Sequence, residues 1–210
     1  MTMYFRDIRD AIVTLLGNAA AGQYRTRGYP DQNLSAEEIA DTDRLVQVYY
    51  TSGEFARSSS GRGPFDHQMT FKVQLIVSQA ASCDLSVLND ESATAGQIAA
   101  ALAAAEPAAQ GADESLDELI DLVFQVLMAG TNIHLGLAYP IGSRWIDRIE
   151  KQEPFARSDR AVAMATMDLT CRVAEEVPSA TLTDLDIVKV DITHQGDDVV
   201  RASVEVDNGD

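Results

Sequence analysis

Few residues in this 210-residue chain are equipped for chemistry. They are the histidines His67, His134 and His194, the cysteines Cys83 and Cys171, one Gly/Ser-rich stretch, and a surplus of carboxylates. A metal site needs several ligands converging at fixed distances, and no histidine here has a partner at HxH or HxxxH spacing. His67 falls on the apolar phase of an alternating stretch and His134 lies in NIHLGL, so both are expected to be structural. Cys171 is in phase with apolar residues, where a thiol behaves as a small hydrophobe. Cys83 precedes Asp84, an acidic neighbour that disfavours the thiolate a nucleophile needs. The stretch SSSGRGP lacks the lysine of a GxxxxGK[ST] phosphate loop and leads into a strand, whereas a phosphate cradle needs a helix N-terminus. No GxSxG elbow or GxGxxG fingerprint occurs. Adjacent acids such as Glu37 with Glu38 and Glu175 with Glu176 read as solvated faces in a chain with 33 acids. Trp145 reads as an anchor in a core or interface. No catalytic residue, cofactor or metal is expected, and the chain is not expected to be an enzyme.

Composition narrows the classes further. The formal net charge is −17, so phosphate backbones and anionic lipid are repelled. No apolar run approaches the roughly 18 residues needed to cross a bilayer. Charges at Arg6 and Asp7 leave no room for the apolar core of a signal peptide, so synthesis in the cytoplasm is expected. Two distant cysteines do not make a disulfide framework. The charge is uneven: Arg6, Arg9, Arg25 and Arg27 stand near the start, Glu91 to Glu118 has no basic residue, and the last thirty residues are rich in Asp. Solubility accounts for such a pattern. So does a basic patch containing Arg25 and Arg27 on one subunit that meets an acidic patch on the next.

The elements read as follows. Tyr4, Phe5, Ile8, Ala11, Ile12, Leu15 and Leu16 recur at helical spacing, predicting an amphipathic helix capped by Thr2 and closed near Gly17. Asn18 to Asp43 reads as loop, with one short helical turn at the Ser35/Glu38 capping-box spacing. Arg44 to Tyr50 predicts a strand, followed by the loop TSGEFARSSSGRGP. From Phe65 to Val77 strict alternation predicts an antiparallel strand with one face on a core and the other on water. Two helices are expected next, Thr94 to Ala105, ended by Pro107, and Ser115 to Ala129. Leu122 and Phe124 broaden the apolar stripe of the second, so it is expected to be covered on more than one side. Arg144 to Ile149 and Ala161 to Glu175 predict strands, and IVKVDIT and VVRASVEV flank HQGDD as a hairpin. The fold class is α+β: a mostly antiparallel sheet packed against N-terminal and central helices, with a C-terminal β-hairpin extension. The expected domains are 1–178 and 179–210.

This order resembles the tail terminator family of long-tailed bacteriophages, over roughly residues 3 to 177. The resemblance rests on the opening helix YFRDIRDAIVTLL, the strand–long loop–strand unit ending in PFDHQMTFKVQLIV, the helix SLDELIDLVFQVLM, and the strands RWIDRI and RAVAMATMDLTCRV. It implies a structural virion protein that forms a homo-oligomeric, hexameric ring at the head-proximal end of the tail tube. One face would stack on the tail tube protein and the other on a head–tail connector or neck protein. DNA would pass through an acidic lumen without specific binding, and no membrane would be involved. The implied location is the tail–neck junction of the virion, after assembly in the host cytoplasm. The Gly/Ser loop carrying Phe55, Arg57 and Arg62 is the expected place for contacts with a neighbour, against its alternative as an ordinary surface loop. The C-terminal hairpin departs from the compact form of the family. It leaves open another connector or tail-completion role. Two other classes compete: an enzyme with a site assembled from scattered acids and His67, and a small-molecule-binding module using a pocket between the sheet and the alanine-rich helix.

Overall fold

Ile8, Ile12 and Leu16, four residues apart, form the buried stripe of α1 (Phe5–Ala20). The structure, a computed structural model, describes residues 4–30, 43–56, 65–157, 159–175, 187–193 and 200–207. The expected Thr2 cap and the helical turn at Ser35/Glu38 lie outside these residues. Tyr4 occupies the N-cap position without a side-chain cap bond. α1 runs past Gly17, which is helical, and ends where Ala21 (φ 45°) and Gly22 (φ 85°) turn left-handed. The Tyr24 hydroxyl then donates to the Leu16 carbonyl at 2.9 Å. That bond folds the chain back into β1 (Arg25–Arg27), a strand within the stretch read as loop.

β1 pairs in parallel with β2 (Arg44–Ala56) through Leu45, Val46 and Gln47. β2 is six residues longer than its sequence suggested. Its ladder with β3 (Phe65–Ala80) jumps between Tyr50 and Ser52, then continues to Ala56 opposite Asp66. A bulge inserts one residue and shifts the alternation by one. That shift hid the second half of the strand. β3 lies at the centre, with β6 (Arg160–Glu175) antiparallel on its far side from Phe65↔Glu175 to Ala80↔Arg160. β4 (Ser143–Lys151) and the short β5 (Phe155–Arg157) pair with the outer side of β6. The sheet order is β1-β2-β3-β6-β4, with β5 beside β6.

One face of this sheet carries the core. Met69, Phe71, Val73, Leu75 and Val77 of β3, and Ala163, Ala165, Met167, Leu169, Cys171 and Val173 of β6, are buried under α1 and α2. Each large aliphatic buried in this way contributes about 1.5–3 kcal/mol. The opposite face is less bare than the alternation implied. Leu45, Ile76 and Val162 are buried there as a small cluster, with Met164 packed against it.

The two expected helices are one, α2 (Ala95–Met128), of 34 residues. Thr94 opens it with a capping box: its hydroxyl accepts from the Gln97 N–H at 3.3 Å, and the Gln97 side chain accepts from the Thr94 N–H at 2.9 Å. Pro107 does not end the helix. It lies on the exposed side, where the carbonyl it leaves without a donor can turn to water, while Ala104, Ala108 and Ala112 keep the buried side regular. Alanine propensity on both flanks offsets the local loss. Leu122 packs partly buried against the core as its place in the stripe suggests, but among the described residues nothing covers Phe124 to the same extent. Leu116, Leu119, Val123 and Leu127 are buried, whereas Phe124 is 41% exposed and Leu102 is 57% exposed. No helix among the described residues is long and apolar enough to cross a membrane.

The chain divides into two compact units, Met1–Glu176 and Val177–Asp210. The second contains an antiparallel pair, β7 (Ile187–Thr193) and β8 (Val200–Asp207).

Candidate functional site

Of the interface residues suggested by sequence, Arg25, Arg27 and Phe55 are described, and they fall at two places along one sheet edge. Arg25 and Arg27 belong to β1, held by the turn that Tyr24 fixes. Arg25 is exposed, and the Arg27 guanidinium lies 5.9 Å from the centre of the Tyr29 ring. Phe55 sits eight positions along β2 from Gln47, the partner of Arg27. At the usual rise per residue this separates them by roughly 25 Å. Phe55 therefore does not converge with the arginines on one point. Arg57 and Arg62 lie outside the described residues.

Phe55 is half exposed and stacks on the His67 ring, with centroids 3.9 Å apart. Beneath it is the most chemically distinctive group in the molecule. His67 is fully buried, and its Nδ1 lies 2.7 Å from Glu175 Oε1. Glu175 is itself buried, which corrects its reading as half of a solvated acidic pair. Its phase explains why: it is in step with Cys171 and Val173 and so points to the helix-covered face. Glu175 Oε1 also accepts from the Tyr4 N–H at 3.4 Å, at the start of α1. A carboxylate there faces the positive end of the helix dipole. One acid thus ties the end of β6 to β3 and to the first turn of α1.

Aromatic rings complete this end of the sheet. Phe5 lies 4.9 Å from Tyr50, Tyr50 lies 5.8 Å from Phe71, and Tyr4 stacks on Tyr139 at 4.3 Å. At Gly53 the β2 backbone is closely packed. A Cβ there would overlap His67 Nε2 and meet the Tyr50 hydroxyl at 2.5 Å. The absent side chain lets both groups approach the β2 backbone. His67 Nε2 itself has no hydrogen-bond partner among the described residues.

These groups are buried and bonded to one another within the fold. The imidazole is roofed by Phe55 and pinned by Glu175. Burial pushes the Cys171 thiol up to about 12, well away from a reactive thiolate. Burial, with nearby acids, also raises the Tyr139 phenol. His134 Nδ1 accepts from the Ile141 N–H at 3.2 Å and shapes the turn before β4. Among the described residues no group of three or more His, Cys, Asp or Glu could hold a metal ion. An open groove of about 490 Å³ lies between α1 and the turn at Leu135–Leu137, bordered by Asp7 and Asp10. It is not the space between sheet and alanine-rich helix, because Ala101, Ala104, Ala108 and Ala112 are buried.

The edges of the main sheet differ in kind. β4 carries Arg144, Asp147, Arg148, Glu150 and Lys151 and has a bulge between Ile146 and Arg148. Charges and bulges are the usual means of blunting an edge. On the other side, β1 covers β2 only at Leu45–Gln47. From Val48 to Ala56 the outer edge of β2 has no strand partner among the described residues, and its only charge is Glu54. No protein-family model matches this chain, and no curated protein matches it.

Proposed function

We propose that this chain is a structural virion subunit that forms a ring closing the head-proximal end of a phage tail tube and docks the tail to the neck. The observation that carries the reading is the arrangement of elements in one body. An opening helix and a long central helix cover one face of a sheet whose middle is a long-armed hairpin paired with the last strand. That is the order on which the resemblance to tail terminators rests. A sheet edge that no strand covers among the described residues, flanked by Arg25 and Arg27, supports assembly with other protein chains. A net charge of −17 suits a lumen along which DNA slides without sticking.

Electron microscopy of the purified full chain, alone and with isolated tail tubes, tests this. The expected result is closed rings of about six copies, free or seated on one tube end, since repeated head-to-tail contacts that close give a ring. Failure to form rings in either setting would refute it. Preferential binding to the connector with none to the tube would favour the alternative of another neck subunit. The separate C-terminal unit is the feature that favours that alternative.

A further inference from the structure

We propose that the open edge of β2, from Val48 to Ala56, is a strand-addition site for the C-terminal β7–β8 hairpin of a second copy of this chain. The inference deepens the ring reading, on which it rests for the repetition of the contact around a closed assembly.

The acceptor is defined by contrast within one sheet. The β4 edge is guarded by five charged residues and a bulge, whereas the β2 edge presents nine residues with one charge and no proline. Free backbone N–H and C=O groups along such an edge bind an incoming strand by main-chain hydrogen bonds. The β2 edge also starts beside β1, so an added strand would continue the line that Arg25 and Arg27 begin.

The donor is defined by length, charge and incompleteness. β7 has seven residues and β8 has eight, close to the nine on offer. Residues 177–210 contain eight acids against Lys189 and Arg201, whereas β1, at the start of the edge, carries Arg25 and Arg27 and no acid. Opposite charge at the start of the edge fixes which end of the donor arrives there and speeds its capture. The register places Val188 opposite Val206, Val190 opposite Val204 and Ile192 opposite Ala202, and alternation puts all six positions on one face. Lys189 stands opposite Glu205 in the same register. A two-stranded hairpin with one apolar face is marginal in water alone, and joining a larger sheet removes that weakness. Handing the hairpin to a neighbour makes the contact heterologous, the type that repeats around a ring.

Two full-length variants test this by complementation. Val190→Asp/Val204→Asp disables the donor and keeps the acceptor edge. Arg25→Glu/Ser52→Glu places negative charge on exposed Ser52 of the acceptor edge and on exposed Arg25 beside its start, and keeps the donor. By light scattering after size exclusion, each alone should assemble about tenfold or more weakly than wild type. Mixed, the two should form a 1:1 complex through the one intact edge and the one intact hairpin. Amide hydrogen exchange supplies a second reading: the amides among residues 48–56 that point away from β3 should be protected in wild-type assemblies and exchange in the donor variant. Wild-type assembly by both variants would overturn the inference while leaving rings seen by microscopy untouched. A monomeric wild type would overturn it too, and so would edge protection in that monomer, which would mean capture of the hairpin by its own chain. Absence of rings with complementation intact would refute the ring reading alone.

Discussion

Replacing Glu175 by alanine removes the acceptor from a fully buried imidazole and leaves the Tyr4 N–H without its carboxylate partner. If the pair is charged, breaking it costs about 3–5 kcal/mol. If His67 is neutral, the loss is that of a buried hydrogen bond, about 1–3 kcal/mol. The two ranges meet near 3 kcal/mol, and that is the expected destabilisation. Phe55 keeps water from reaching the ring from above, so solvent cannot make good the missing partner. The decisive comparison is the double replacement His67→Leu/Glu175→Leu. It removes both polar groups, including the Nε2 atom that has no partner among the described residues of the wild type. Substituting both partners by apolar groups is close to neutral, so the double variant should lie within about 1 kcal/mol of wild type. Urea unfolding followed by the fluorescence of the single tryptophan, Trp145, measures both. With a slope of about 2 kcal/mol per molar urea, Glu175→Ala should lower the midpoint by about 1.5 M. A loss below about 0.5 kcal/mol for Glu175→Ala would refute the assignment of Glu175 as the tie between β3, β6 and α1. A double variant as unstable as the single one would refute the claim that the cost comes from an orphaned polar group.

Three further outcomes are expected. Gly53→Ala should cost about 1–3 kcal/mol in the same urea assay, because its Cβ overlaps a pinned histidine and the Tyr50 hydroxyl; an unchanged midpoint would show that the strand shifts freely there. Pro107→Ala should stabilise by about 2 kcal/mol, since restoring a helix-interior donor outweighs the added freedom of the unfolded chain; thermal unfolding reads it, and a lowered midpoint would contradict a continuous α2. Cys171 should resist alkylation at pH 8 in the folded chain and react after unfolding, while Cys83, half-exposed, reacts first; peptide mass mapping distinguishes them. The folded thiol holds its proton up to about pH 12. Its contribution to stability is therefore complete below the unfolded thiol value near 9 and falls as pH rises from there towards 12.

The amino-acid sequence by itself determined the class of fold and most of its elements. Strict alternation in β3 and β6 and the four-residue spacing of Ile8, Ile12 and Leu16 are local, periodic signals that name their own buried face. They were enough to call the chain α+β and to place His67 among apolar neighbours. The same alternation extends to Glu175, but its adjacency to Glu176 suggested a solvated pair. Only the ladder that sets Phe65 against Glu175 and His67 against Val173 brings that acid to the imidazole, across 108 residues of chain. Tertiary structure decided three other matters for related reasons. The bulge after Tyr50 shifted the phase and concealed half of β2, the half that carries Phe55. Packing of alanines on one side let α2 pass through Pro107, where local propensity predicted a stop. And the difference between a blunted β4 edge and an open β2 edge exists only once the strand order is known, because an edge is a property of which neighbours a strand lacks.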